Sequence, residues 1–256
     1  MEFLLEPNHW LLLASIGFIA GFIDAIVGGG GLLSIPTLLT LGLPPHIALG
    51  TNKLAACFGS FISTLTYYRQ RLFLPKFWFQ TLFASIIGGM LGSSLVYLID
   101  NRWLDKILPI IIIAIAIYTL CAPTAIADHK QPPNTAPSIK KQWLQGLPLG
   151  FYDGFAGPGI GAFWTLTSSK LHKLPLLHSC AHARAMTLAS NISALTVFLV
   201  LGQVDISIGL AMGFCMMLGS YLGARSAIKF GSPFIKPIFI TIVICIALNL
   251  AWGAWF

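Results

Sequence analysis

Apolar runs near the length of a bilayer crossing recur along the chain, at about 10–27, 54–68, 77–99, 103–122, 186–201, 206–224 and 234–256. A spanning helix needs about 20 predominantly apolar residues, and this many runs cannot pack into one soluble core. The pattern predicts an all-α, polytopic membrane protein. Glu2 and Glu6, with no Lys or Arg, precede the first run. A cleaved signal peptide opens with a positive region instead, so the first helix is expected to stay.

The pattern also repeats. Residues 21–30 read GFIDAIVGGG and residues 150–159 read GFYDGFAGPG, so Gly21, Phe22, Asp24, Gly28 and Gly30 recur 129 positions later. Further on the offset becomes 131: Pro44 matches Pro175, Lys53 matches Arg184, and Gly88-x-x-x-Gly92 matches Gly219-x-x-x-Gly223. The chain therefore divides into a first repeat at 1–122, a polar linker at 123–143 and a second repeat at 144–256, together one transmembrane domain. Pro123, Pro132, Pro133 and Pro137 make the linker helix-breaking. Each repeat reads as a helix, a glycine-rich break, a short second helix and three longer apolar segments. From Leu32 to Leu41 the short helix would rise only about 15 Å, half of the hydrocarbon core, so it is expected to re-enter without crossing.

Charge gives the repeats a direction. The loop after the third segment carries Arg69, Arg71 and Lys76, whereas its counterpart near Gln203 to Asp205 has no Lys or Arg. Basic loops stay cytoplasmic, so these equivalent loops face opposite sides and the repeats are inverted. The linker and the loop near Lys170 and Lys173 are then cytoplasmic, and both termini lie outside. Composition agrees: 56% of residues are hydrophobic, 9% are charged and mean hydropathy is +0.82. The net charge of +7 sits singly or in pairs at segment ends, which excludes the continuous basic face of a nucleic-acid binder.

Inverted repeats with broken helices place a transporter's site at the repeat interface, near the membrane midplane. Gly28, Gly29, Gly30 and Gly31 in one repeat, and Gly157, Pro158 and Gly159 in the other, free backbone N–H groups where a helix restarts, a setting that attracts anions. Lys53 and Arg184 are symmetry-related cations, read as standing at the starts of long apolar segments. Snorkelling to the interface is the bland alternative for either one alone. Asp24 and Asp153 sit among apolar neighbours, where a carboxylate must find a cation, take up a proton or bond freed backbone donors. Asn52, Ser60, Ser63, Thr64, Asn191 and Ser193 add polar groups on the cation-bearing segments, able to bind an oxyanion or a neighbouring helix. The Gly-x-x-x-Gly pairs are packing devices, with a homodimer face as one possible use.

His178, Cys180 and His182, with His172 nearby, offer a divalent-metal permease as the alternative reading, and a non-transporting membrane protein is a further one. The cysteines Cys57, Cys121, Cys180, Cys215 and Cys245 form no CxxC pair and read as small buried hydrophobes. An enzyme would need a nucleophile and base at midmembrane depth; no acid and base pair stands out beyond the aspartates, and no cofactor is called for.

The stretches AGFIDAIVGGGGLLSIP, LPPHIALGTNKLAACFGS, YYRQRLF, GFYDGFAGPGIGAFW and AHARAMTLASN resemble the sulfite exporter TauE/SafE family, in particular its YfcA-like branch, over nearly the whole chain. The resemblance implies a bacterial inner-membrane permease for small sulfur-containing anions such as sulfite, sulfoacetate and other organosulfonates. Matching positions are Gly28 to Gly31, Pro36, Thr51, Asn52 and Lys53, then Asp153, Gly157, Pro158, Gly159, His182 and Arg184. The expected activity is alternating-access transport of a small anion across the lipid bilayer. The substrate would be held by the two glycine breaks, Asn52, Lys53, Arg184 and Asn191, with Asp24 and Asp153 as proton carriers or ion-pair partners.

Overall fold

The computed structural model describes residues 7–100, 102–104, 106, 135, 137–235 and 237–238. Among these, every regular element is helical: α1 (Pro7–Ile26), α2 (Gly31–Thr40), α3 (Pro45–Arg69), α4 (Phe79–Tyr97), α5 (Ile139–Phe155), α6 (Ile160–His172), α7 (Leu176–Val200) and α8 (Ile206–Phe230), with a single 3-10 turn at Pro75–Phe77. The apolar runs at 103–122 and 234–256, and most of the linker, lie largely outside the described residues.

Four helices, α1, α4, α7 and α8, are long and apolar enough to cross a bilayer. Large apolar side chains such as Leu11, Phe61, Leu98 and Val200 stay on the outside of the helix bundle, as a lipid-facing surface requires. Helix α3, with 25 residues, is equally long but more polar, because Thr51, Asn52, Lys53, Ser60 and Ser63 are buried along its inner face.

Two expectations about helix starts need correction. The apolar runs at 54–68 and 186–201 mark only the later parts of α3 and α7, which begin at Pro45 and Leu176. Proline at the first turn, where its missing N–H costs nothing, starts α3, and Pro175 precedes α7. Lys53 and Arg184 therefore lie well inside helices, only 2% and 1% exposed, and do not snorkel. Small and polar residues lowered the local hydropathy and hid the first turns.

The short helices fold back on their predecessors. Leu38 at the end of α2 and the following Leu43 pack in one cluster with Leu13 of α1, so the pair starts and finishes at one end of the molecule. In the second pair, Gln145 of α5 bonds Thr167, Ser168 and His172 of α6, which brings the start of α5 beside the end of α6.

The helices then interlock across the halves. Against α1 lies α8: a methyl at Gly219 or Gly223 would come within 2.0 or 2.3 Å of the Phe18 or Phe22 carbonyl oxygen. Against α5 lies α4: a methyl at Gly88 or Gly92 would come within 2.4 or 2.0 Å of the Leu147 or Phe151 carbonyl oxygen. Both Gly-x-x-x-Gly faces are thus filled by the chain's own helices rather than presented to a second copy. Gly50 near the start of α3 touches Gln203, and Thr51 accepts a hydrogen bond from the Asp205 N–H at 2.9 Å. The loop at 201–205 and the basic loop at 70–78 therefore sit at opposite ends of α3.

Candidate functional site

Each hairpin breaks in the same way. Gly28 and Gly157 both adopt φ +87°, a conformation open to glycine and strained for residues with a Cβ. At the tips the two breaks touch: a methyl on Gly28 would fall 2.3 Å from Gly161 Cα, and one on Gly31 would fall 3.4 Å from Pro158 Cα. Only backbone without a side chain permits the approach of Gly28 to Gly161.

Two ion pairs cross this meeting point reciprocally. Lys53 of the first half bonds Asp153 of the second, with Nζ 2.6 Å from Oδ1. Arg184 of the second half bonds Asp24 of the first through Nη1 and Oδ2. Burying four charges in a low-dielectric interior demands such pairing.

Their surroundings differ. The three donors of Lys53 meet three acceptors: the Asp153 carbonyl, Asp153 Oδ1, and Asn191 Oδ1 at 3.0 Å. Asp153 Oδ2 also accepts from the Ser190 hydroxyl. Asp24 Oδ1 accepts from the Gly30 N–H at 3.1 Å, so a carboxylate already uses a backbone donor freed at the break. Arg184 threads between Gly28 and Gly161, where a methyl on Gly161 would lie 1.7 Å from Nη2. Nη2 itself has no hydrogen-bond partner among the described residues.

Between the pairs is a cavity of about 20 Å³, lined by Asp24, Lys53, Asp153, Asn52, Asn191 and Thr187 together with both glycine breaks. That holds on the order of one water molecule and is too small for an oxyanion. Thr187 lines it, and its buried hydroxyl has no partner among the described residues. Arg184 does not line this cavity: its unpartnered Nη2 is lodged against Gly28 and Gly161, behind the first glycine break.

The structure brings Asp24, Gly28, Gly31, Asn52, Lys53, Asp153, Gly157, Gly159 and Asn191 to this cavity, and Gly30 to its Asp24 wall. Gly29 and Pro158 do not line it; the Pro158 carbonyl accepts from Tyr152 Oη at 2.6 Å and braces the second break. Ser60 and Ser63 bond carbonyls of their own helix, and Ser193 bonds the Ser190 carbonyl, so they serve packing. His182 bonds Ser168 at 2.9 Å and stacks edge-on with Trp78 at 4.2 Å. Among the described residues no three His, Cys, Asp or Glu side chains are grouped to hold a metal ion.

Sequence reasoning missed Thr187 and Ser190. A usable signal was present: Thr187 falls three residues after Arg184 and four before Asn191, on one helical face. Ser190 had no such flag, because its importance lies in the carboxylate it reaches across the halves.

Comparison with known proteins agrees with this architecture. Residues 13–250 match the family described as Sulfite exporter TauE/SafE. The chain is similar to the probable membrane transporter protein ORF9 of a Sinorhizobium species, 39% identical over 233 residues that cover 91% of this chain and 88% of that protein. It is similar to a probable membrane transporter protein of Haemophilus influenzae, 37% identical with 96% of each chain covered. It also resembles the probable membrane transporter protein YfcA of Escherichia coli K12, 33% identical over 98% of this chain and 93% of that protein.

Proposed function

The chain belongs to the sulfite exporter TauE/SafE family of membrane transporters, and from that premise we propose that it is a secondary transporter of a small, sulfur-containing oxyanion or organosulfonate, working by alternating access. The observation that carries this reading is the reciprocal pairing of Lys53 with Asp153 and of Arg184 with Asp24 where the two glycine breaks meet. In this contracted state each carboxylate occupies the place an anion would take.

The exchange follows from charge. Protonating Asp24 removes the partner of Arg184, and the freed guanidinium, with Nη2 and the Thr187 hydroxyl already open, receives the anion. Lys53 joins only after Asp153 lets go, because all three of its donors are engaged. Since the ion pairs join the halves, releasing them also loosens the halves against one another. Anion and proton then move together.

The halves 1–122 and 144–256 act as the two rocking units of this scheme. The end carrying Arg69, Arg71, Lys76, Lys170, Lys173 and Lys229 faces the cytoplasm of a bacterial cell, across its inner membrane. The loop at 201–205 and the start of α1 face outside.

Counterflow in proteoliposomes, scanning sulfite, thiosulfate, sulfonates and carboxylates, tests the reading. One anion class should exchange, with proton movement reported by a trapped pH dye, and Lys53→Ala and Arg184→Ala should each abolish it. Undiminished flux in both variants would remove these cations from the site.

A further inference from the structure

A second feature, independent of the transport reading, lies on the outer surface between α5 and α6. A groove of about 410 Å³ runs there, walled by Leu144, Pro148, Leu149 and Leu171. At its floor Gln145 Nε2 donates to Thr167 Oγ1 at 2.7 Å, so these polar groups are satisfied and the remaining wall is apolar. Leu144, 69% exposed, leaves it open along the face that lies toward lipid.

At one end of the hairpin positive charge gathers near the groove. Lys170 lines it directly. Lys140 and Lys141 stand in the first turn of α5, and Lys173 follows α6. The bonds from Gln145 to Thr167, Ser168 and His172 place these helix ends side by side. All four lysines are exposed, and among the described residues none has a carboxylate partner. Asp24 and Asp153 are committed to the central pairs, Asp205 caps α8 at the opposite end, and Asp100 follows α4.

The matching hairpin of the first half has no such cluster: α1 begins Pro7–Asn8–His9–Trp10, and Thr40 to Pro45 closes α2 without a Lys or Arg. In the proposed orientation the cluster therefore marks the cytoplasmic end of the second hairpin, the side on which anionic lipid headgroups attract basic residues. An acyl chain fits the apolar wall, and an anionic headgroup at the membrane surface fits the lysines. Free inorganic phosphate would engage the lysines but leave the groove unexplained.

We infer that the α5–α6 groove is a binding site for an anionic phospholipid, with one acyl chain along Leu144, Leu149 and Leu171 and the headgroup phosphate held by Lys141, Lys170 and Lys173. Binding there would brace the hairpin that carries Asp153 and the second glycine break.

Native mass spectrometry of the full-length protein tests this, using phosphatidylglycerol and phosphatidylcholine of identical acyl chains. Phosphatidylglycerol adducts should survive activation that strips phosphatidylcholine. The variant K141Q/K170Q/K173Q should bind phosphatidylglycerol at least about tenfold more weakly. Leu144→Trp, at an exposed position, should fill the groove and displace the lipid with every lysine intact. Thermal melting of both variants checks that they remain folded. Equal retention of the two lipids, full retention in the triple variant, full retention in folded Leu144→Trp, or complete competition by glycerol phosphate would overturn the proposal.

Discussion

Lys53 and Arg184 hold matching places in the two halves, each paired with the other half's aspartate, yet one is sealed and the other is open. The ammonium has three acceptors for three donors; the guanidinium keeps Nη2 free, and the Thr187 hydroxyl three residues further along α7 is also without a partner among the described residues. Asp153 is bonded on both oxygens inside the protein, while the Asp24 side chain is 14% exposed. Equivalent positions thus differ in how completely their charges are satisfied. In the transport scheme proposed above, the Lys53 pair would be a latch between halves and the Arg184 pair the end at which an incoming group finds donors.

The sharpest challenge to this comparison lies in the glycines behind the two pairs. Gly28→Ala drives a methyl to 2.3 Å from backbone at Gly161, which cannot yield, so little folded protein should elute as a homogeneous peak in detergent. Gly157→Ala has the same φ but its nearest contacts are the ends of Lys53 and Asp153, at 2.9 and 3.0 Å. It should fold, with a loss of about 1–2 kcal/mol from left-handed strain and impaired flux. Equal tolerance at both positions would break the asymmetry.

Removing one cation at a time comes next. Lys53→Met strands a fully buried carboxylate and should cost about 3–5 kcal/mol, much of it recovered in Lys53→Met with Asp153→Asn. Arg184→Met should cost less, because Asp24 keeps the Gly30 N–H and some solvent. Denaturation in detergent measures both cycles, and the reverse ranking would exchange the roles of latch and receptor.

Smaller effects sharpen the same picture. Thr187→Val should leave the melting temperature unchanged and weaken anion binding by about 0.5–1.5 kcal/mol, the worth of one hydrogen bond. Calorimetric titration reads this directly. Asp205→Ala removes the side-chain cap on α8, where Oδ1 accepts from Ile208 N–H at 2.9 Å, and should lower stability by about 0.5–1 kcal/mol. The matching helix α4 has no side-chain cap, so no analogous substitution exists in the first half.

Much of the architecture was legible along the chain. Apolar runs announced α1, α4 and the start of α8 to within a few residues, because lipid exposure demands continuous apolar surface and leaves a strong local signal. The recurrence of Asp24 at Asp153 and of the glycine breaks, together with Lys53, located most of what lines the cavity. The first turns of α3 and α7 were missed for the opposite reason: buried inside protein, they carry polar and small residues whose neighbours, not lipid, satisfy them. Gly29 and Pro158 look like their neighbours in sequence yet do not line the cavity.

The sequence by itself determined a helical membrane protein with two related halves, the glycine breaks, and the identities of the charges that need partners. Only the tertiary structure decided who those partners are. Asp24 is closer in sequence to Lys53, and Asp153 to Arg184, but the halves interlock through α1 with α8 and α4 with α5, so each carboxylate meets the cation of the other half. Composition sets the cost of burying a charge, whereas a salt bridge acts over a few ångströms, and only the packed fold sets that distance.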